Sequence, residues 1–402
     1  MNDDFSLSIG VAAVDITPPI GVTLSGYQPR RAEAIGHPLR AEALVCRGKR
    51  QAWAVLTADV IGFPRAMTRA IRYAIRTEVA LPPIGVMTAG THTHSGPSTL
   101  WFGNGAPTKT DQAYLNALPD QLADLVREAW WRAAPGRFES AAIEVPELGS
   151  NRRVQQADGT WGNEWQDPEG RHPGFFDPTA LLVGVRRPSG RLDALVVNYG
   201  VHPVVLGPDS RDISADYPGY LKDAIETSGD AALVLFILAG GANINPRHCI
   251  QVGADHPRRV GEALAARVRS ALSRLTPLPT GEPRRLRRAW NLRRTRDSLP
   301  GKGRRIQRAG SLVRTEMQAF RAGDLAIIGL PGEVFSEYNA RCRALSPVNT
   351  TVVASLANDY IGYLPTTAAL AEGAYEARMS PSADIESALM ENAERILRGL
   401  GG

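Results

Sequence analysis

Cysteine is scarce in this 402-residue chain: Cys46, Cys249 and Cys342 are the only three, and they lie far apart. That excludes a disulfide framework and a cysteine-based metal site, and it points to a reducing compartment. Long apolar runs are also missing, since no window approaches the roughly eighteen uninterrupted apolar residues of a membrane span. The start, Met1-Asn2-Asp3-Asp4-Phe5, carries acids where a secretion signal needs a basic stretch followed by an apolar one. The expectation is a soluble, cytoplasmic protein. With 43% hydrophobic and 22% charged residues, disorder is excluded for most of the chain.

A net charge of +5 suggests an anionic partner until it is located. Residues 284–314 hold twelve basic side chains against the single acid Asp297, a local +11 that leaves −6 on the rest of the chain. This segment is the basis of a non-enzymatic alternative, an anionic-surface or nucleic-acid binder. Its pattern, Arg284-Arg285-Leu286-Arg287-Arg288-Ala289-Trp290, also reads as an exposed strand whose long basic side chains protect a sheet edge, which is the reading preferred.

Apolar runs of strand length alternate with helical patterns throughout. Strands are expected over 41–46, 52–59, 84–89, 138–145, 181–185, 193–199, 232–238, 325–330 and 351–356. Helices are expected over 67–79, 114–133, 217–226, 256–275, 333–345 and 385–397. The alternation predicts an α/β fold, a layered domain with a mixed, largely buried β-sheet flanked by helices. Residues 150–177, rich in Gly, Asp, Trp and Pro, read as a long surface excursion, and no break is deep enough to divide the chain into domains.

Chemistry-bearing residues cluster at the ends of the expected strands. After 84–89 comes Gly90-Thr91-His92-Thr93-His94-Ser95-Gly96-Pro97, whose histidines at i and i+2 share one side of an extended segment. A third histidine follows the strand over 193–199, in Gly200-Val201-His202-Pro203. Asp216 opens the next helix as a cap or first-turn acid, a structural role. Leu330-Pro331-Gly332-Glu333 and Asn358-Asp359-Tyr360-Ile361-Gly362-Tyr363 close two further strands. Two imidazoles, a glutamate and one further oxygen suit a hydrolytic zinc with room for an activated water. His37, His172, His248 and His256 read as surface or loop groups, with His172 able to approach a substrate from the long excursion. Trp101, Phe102, Trp161, Trp165, Phe175 and Phe176 are candidates to line an apolar groove.

These motifs resemble the catalytic domain of the neutral, non-lysosomal ceramidases. Beside those above, the likeness rests on Gly10-Val11-Ala12-Ala13-Val14-Asp15-Ile16-Thr17-Pro18-Pro19, Gly26-Tyr27, Asn198-Tyr199 before Gly200, Ile213-Ser214-Ala215-Asp216-Tyr217-Pro218-Gly219, and Thr366, in family order from residue 10 to about 380. The resemblance implies an amidohydrolase with one zinc ion per chain that splits an N-acyl bond by metal-activated water. It assigns His92, His202, Glu333 and Tyr363 as metal ligands, with Tyr360 as the alternative tyrosine. It gives catalytic contacts to His94, Arg152 and Tyr375.

Two departures bear on substrate. Where ceramidases carry Gly-Asp-x-Ser-Pro, this chain reads Gly241-Ala242-Asn243-Ile244-Asn245-Pro246, so Asn245 replaces the family serine. The 402 residues are expected to form one catalytic domain without the ceramidase C-terminal β-sandwich. A soluble small-molecule amide is therefore expected rather than ceramide, with an N-acyl lipid, an ester or a cyclic amide as alternatives on the same zinc. No nucleic-acid partner and no membrane insertion are expected.

Overall fold

The computed structural model describes residues 5–76, 78–100, 106–295 and 309–401. Trp101, Phe102 and part of the basic segment lie outside the described residues. Eight strands make the backbone of the main sheet: β1 (Leu7–Asp15), β2 (Arg40–Arg47), β3 (Ala52–Ala58), β4 (Val86–Gly90), β5 (Ala134–Glu144), β6 (Thr179–Arg186), β7 (Leu192–Tyr199) and β8 (Val234–Leu238). Their order is β8-β7-β6-β5-β1-β2-β3-β4, with the two-residue strand Thr276–Pro277 added beside β5. The pairs β3–β4 and β7–β8 are parallel, and the other pairs along this path are antiparallel.

The sheet is joined at its middle by only three residue pairs, from Leu7↔Gly136 to Ile9↔Ala134. Its halves fold onto one another there. Trp53, Val55 and Met87 of one half share a core with Phe138, Val183 and Leu235 of the other. A second sheet, β9 (Arg284–Arg293), β10 (Leu312–Ala322), β11 (Leu325–Gly329) and β12 (Thr350–Ala354), supplies Phe320, Ile327 and Val352 to the same core. Trp53 is stacked between Phe138 and Phe320, at centroid distances of 6.1 and 5.5 Å. Strands buried on both faces need continuous apolar sequence, and all seven residues of β3, Ala-Trp-Ala-Val-Leu-Thr-Ala, are buried.

Helices cover the outer faces. Helices α1 (Arg65–Ile75) and α2 (Lys109–Trp131) pack on the first half-sheet, and α3 (Asp216–Thr227) and α4 (Asp255–Ala271) on the second. The second sheet is covered by α5 (Glu337–Leu345) and α8 (Ile385–Gly401), with α6 (Thr367–Glu372) and α7 (Ala374–Met379) between them in sequence. The observed layers are those the alternation implied. The helix expected over 333–345 starts four residues later, because Glu333–Val334 pairs as a short parallel strand with Tyr363–Leu364. Strands β1 and β10 were not anticipated: in β10, Arg314, Glu316, Gln318 and Arg321 interrupt the apolar pattern that marks the other strands.

The start of the basic segment, Arg284–Arg293, forms an outer strand, as its charge pattern implied. Arg287 is paired with Glu316, Arg288 with Asn392, and Arg285 and Arg293 donate to the carbonyls of Ala52 and Gly310.

One buried ion group bridges the half-sheets. Lys222 of α3 donates from Nζ to Glu42 Oε1 at 2.8 Å and to Asp59 Oδ1 and Oδ2 at 2.9 and 2.8 Å, all three residues being buried. Burial pushes the Glu42 carboxyl up and Lys222 pulls it back. Removing the lysine alone would leave the buried Asp59 carboxylate without its ion pair and Glu42 with Arg40 alone, at 3.4 Å. Lys222→Met is expected to cost about 3–5 kcal/mol in urea unfolding; a loss under about 1 kcal/mol would contradict this role.

Candidate metal centre

Five strands, β4, β7, β8, β11 and β12, deliver their carboxyl ends to one place, where α/β folds put their sites. His92 and His94 follow β4, His202 follows β7, Gly241 follows β8, Glu333 follows β11, and Tyr360 and Tyr363 follow β12. The segments cross at very short range. A Cβ on Gly200 would lie 2.4 Å from the Gly240 carbonyl, and one on Gly241 would lie 2.4 Å from the Gly200 carbonyl, so only glycine fits at either position.

His92 and His202 are held alike. His92 Nδ1 donates to the Ile61 carbonyl at 2.6 Å, and His202 Nδ1 to the Gly241 carbonyl at 2.8 Å. A carbonyl can only accept, so each Nδ1 carries a proton and Nε2 is left to face inward, the arrangement typical of metal-binding histidine. His92 Nε2 and His202 Nε2 stand 3.5 and 3.3 Å from the same atom, Glu333 Oε2. The other carboxylate oxygen, Oε1, accepts the Tyr360 hydroxyl at 2.8 Å. His94 Nε2 lies 3.4 Å from His92 Nε2, and the three imidazoles form the one cluster of potential metal-binding side chains found among the described residues.

Electrostatics sharpen the picture. Burial pulls His202 down to about 4, so its imidazole is neutral at pH 7. Burial and the neighbouring imidazoles hold His94 well below the usual histidine range. Electron-rich atoms therefore meet head-on in a buried space. Metal–ligand bonds of about 2.0–2.1 Å in a tetrahedron set its ligand atoms roughly 3.3–3.4 Å apart, and the separations of 3.3 to 3.5 Å match that spacing. The residues present fit a single small cation.

No protein-family model and no curated protein sequence matches the chain. Among solved structures, the neutral ceramidase from Pseudomonas aeruginosa matches with a TM-score of 0.80 at 18% identity, over 99% of this chain and 75% of that one. A ceramidase complexed with C2 matches with a TM-score of 0.81 at 18% identity, over 98% of this chain and 75% of that one. The chain has the neutral ceramidase fold.

On this ceramidase-like scaffold, all seven residues singled out from the sequence lie in one connected neighbourhood. Tyr363 is the register partner of Glu333, and its hydroxyl accepts from Arg152 at 3.3 Å. Tyr360 touches the carboxylate that Tyr363 sits beside, so the two tyrosines have separate places. Arg152 also donates from Nε to Glu376 at 2.9 Å and to Asn245 at 3.2 Å. Burial opposes its charge, while Tyr363 and Glu376 sustain it. Tyr375 meets Tyr363 edge-on at 5.4 Å and Trp165 at 6.3 Å, and burial keeps its hydroxyl protonated by raising its pKa.

Of the candidate aromatics, Trp165 lies 5.1 Å from the Arg152 guanidinium and Trp161 lies 5.8 Å from that of Arg153, whereas Phe176 packs against Tyr199. His172 bonds the Asn151 carbonyl and Glu164. Asp216 accepts the backbone N–H groups of Val205, Leu206 and Tyr217, bracing the loop after His202 in the structural role expected of it.

Sequence reasoning missed the Ile61 and Gly241 carbonyls, which carry no side-chain signal. It also missed Glu376, whose carboxylate accepts from Arg152, Arg153 and Asn163. The adjacency of Glu376 to Tyr375 was the only available hint.

The separations fit all three imidazoles alike; it is the family resemblance that gives the metal to His92, His202 and Glu333 and a catalytic contact to His94. If that assignment holds, His92→Ala, His202→Ala and Glu333→Gln each weaken metal binding, measured with zinc, by more than about a hundredfold, and Tyr360→Phe by the roughly 10–100-fold typical of a lost outer partner. His94→Ala is expected to keep the metal. Competition with a chromophoric chelator measures all five; zinc loss in His94→Ala, or its retention in Glu333→Gln, would contradict the assignment.

Proposed function

We propose that this protein is a zinc-dependent amidohydrolase cleaving the C–N bond of an N-acyl substrate, with the whole chain acting as a single catalytic domain. The observation that carries the reading is the convergence of His92 Nε2, His202 Nε2 and Glu333 Oε2 on one buried point, with each imidazole's far nitrogen tied to a carbonyl. The ceramidase fold supports the reaction class, and no helix among the described residues is long and apolar enough to cross a membrane. The three cysteines are free and buried, which favours a cytoplasmic setting.

In this reading His92, His202, Glu333 and Tyr363 hold one zinc ion, and Tyr360 orients the glutamate. When bound, zinc polarises a carbonyl and lowers the pKa of water from 15.7 to about 7. The chain's own groups do the rest. Arg152, kept protonated and aimed by Glu376 and Asn245, His94 through Nε2, and Tyr375 through its neutral hydroxyl are the donors for the oxyanion that forms at the amide carbonyl. One such donor is worth about 3–4 kcal/mol in comparable sites. Asn245 lacks a nucleophilic oxygen, and its amide is engaged with Arg152 and the Trp165 carbonyl. No covalent acyl-enzyme is needed.

For substrate, we favour a soluble amide, with an N-acyl lipid as the second reading because both structural neighbours are ceramidases. A panel of N-acyl amines of graded chain length, assayed for free amine with and without chelator, tests this. Release from short amides, lost on chelation and restored by zinc, is the expected result. Release from ceramide alone would select the second reading, and no release from any amide would overturn the proposal. Arg152→Lys, which cannot serve Glu376, Asn245 and Tyr363 together, is expected to lower kcat by about 100-fold or more with zinc retained.

A further inference from the structure

His94 is held differently from the other two imidazoles. Its Nδ1 is buried and has no hydrogen-bond partner among the described residues, where His92 and His202 each have a carbonyl. Its orientation comes instead from a turn some seventy residues earlier in sequence, residues 25–30.

Three contacts from that turn converge on His94. Gly26, at φ +85°, lies so close to the ring that a Cβ there would stand 2.2 Å from Cγ and 2.4 Å from Nδ1. Tyr27 meets the ring edge-on, with centroids 4.9 Å apart at 67°, and its hydroxyl donates to the Leu206 carbonyl at 3.1 Å. Arg30 is buried and donates to the His94 carbonyl at 2.6 Å, to Ser25 at 3.0 Å and to Ser210 at 2.8 Å. Its guanidinium lies 5.0 Å from the Tyr27 ring centroid. Gly26 thus bounds one side of the ring, Tyr27 another, and Arg30 fixes the backbone beneath it. The imidazole is left with Nε2 directed toward His92 Nε2, 3.4 Å away.

We propose that the turn over residues 25–30 is a positioning element for His94, with Gly26 and Tyr27 as positioning residues that aim its Nε2 into the metal centre. The inference rests on the reading in which His92, His202 and Glu333, and not His94, hold the ion. Gly26 acts here by what it lacks: any side chain would occupy the space of the ring. Tyr27 acts through its ring, which packs on His94 whether or not the hydroxyl is present.

The test uses the full chain loaded with zinc and labelled with 13C-histidine. Gly26→Ala, Tyr27→Ala, Tyr27→Phe and His94→Ala are compared by histidine ring 1H–13C correlations, bound zinc, and kcat and KM for amine release. Gly26→Ala and Tyr27→Ala are expected to move the His94 ring signals and leave those of His92 and His202 in place. Zinc should stay at one per chain and kcat should fall about a hundredfold, the cost of misplacing a reacting group by about 1 Å. Tyr27→Phe, which keeps the ring, is expected to keep the parent His94 signals and kcat.

The proposal is overturned if the His94 signals stay in place in both Gly26→Ala and Tyr27→Ala, if Tyr27→Phe behaves like Tyr27→Ala, or if zinc is lost together with the His94 shift. Should Gly26→Ala fail to fold, the two Tyr27 variants decide alone. Should the parent cleave no amide, the proposed activity fails separately, and the ring signals and zinc content still decide the role of the turn.

Discussion

Buried atoms of like polarity do not face one another at contact distance without something between them. His92 Nε2, His202 Nε2 and Glu333 Oε2 do so, with the protons of both imidazoles committed to the carbonyls of Ile61 and Gly241. A cation between them would relieve that arrangement, and burial keeps His202 itself neutral at pH 7. Much of the surrounding structure can be traced back to holding these three side chains together. Ile61 belongs to the segment after β3, which also holds the His92 backbone N–H through Val60. Gly241 belongs to the segment after β8, brought against Gly200 by a glycine crossing. Glu333 is fixed by its short strand pairing with Tyr363 and by the Tyr360 hydroxyl.

The two histidines come from opposite halves of the main sheet, which share only three residue pairs along β1 and β5. Lys222 offers a physical reason why the halves keep register. It lies on α3, whose first residue, Asp216, braces the loop after His202, and it ends on Asp59, at the start of the segment that holds His92. A buried ion group contributes little net stability compared with apolar packing, but it tolerates few alternative geometries. That specificity suits a site whose side chains meet at 3.3 to 3.5 Å. Glu376 does the same for Arg152 and Arg153, drawing the chain around residues 152, 163 and 376 together on one buried carboxylate.

Much of this was legible in the sequence because the site is built at strand ends. Apolar runs that terminate in Gly/His/Pro turns mark both a strand and its exit, so His92, His94, His202 and Glu333 could be named before any contact was known. The layered architecture followed from the same runs. Less legible were elements whose partners are backbone groups or distant single residues. Nothing in the local pattern around Ile61 says that its carbonyl will meet an imidazole, and Gly26 is one of 39 glycines until His94 is seen against it. The choice between Tyr360 and Tyr363 stayed open because both follow the same strand; only the register with Glu333 and the hydroxyl contact separate them. The helix expected from residue 333 was displaced because pairing with 363–364 outweighed the helical pattern that follows.

The central claim is that His92, His202 and Glu333 together bind one metal ion. X-ray absorption at the zinc edge of the reconstituted protein tests it most directly, since it reads the bound atoms rather than an activity. The account predicts one zinc per chain with imidazole scattering from two rings and a first shell of nitrogen and oxygen at about 2.0–2.2 Å. A protein that takes up no zinc, or whose zinc has a sulfur shell near 2.3 Å, would contradict it.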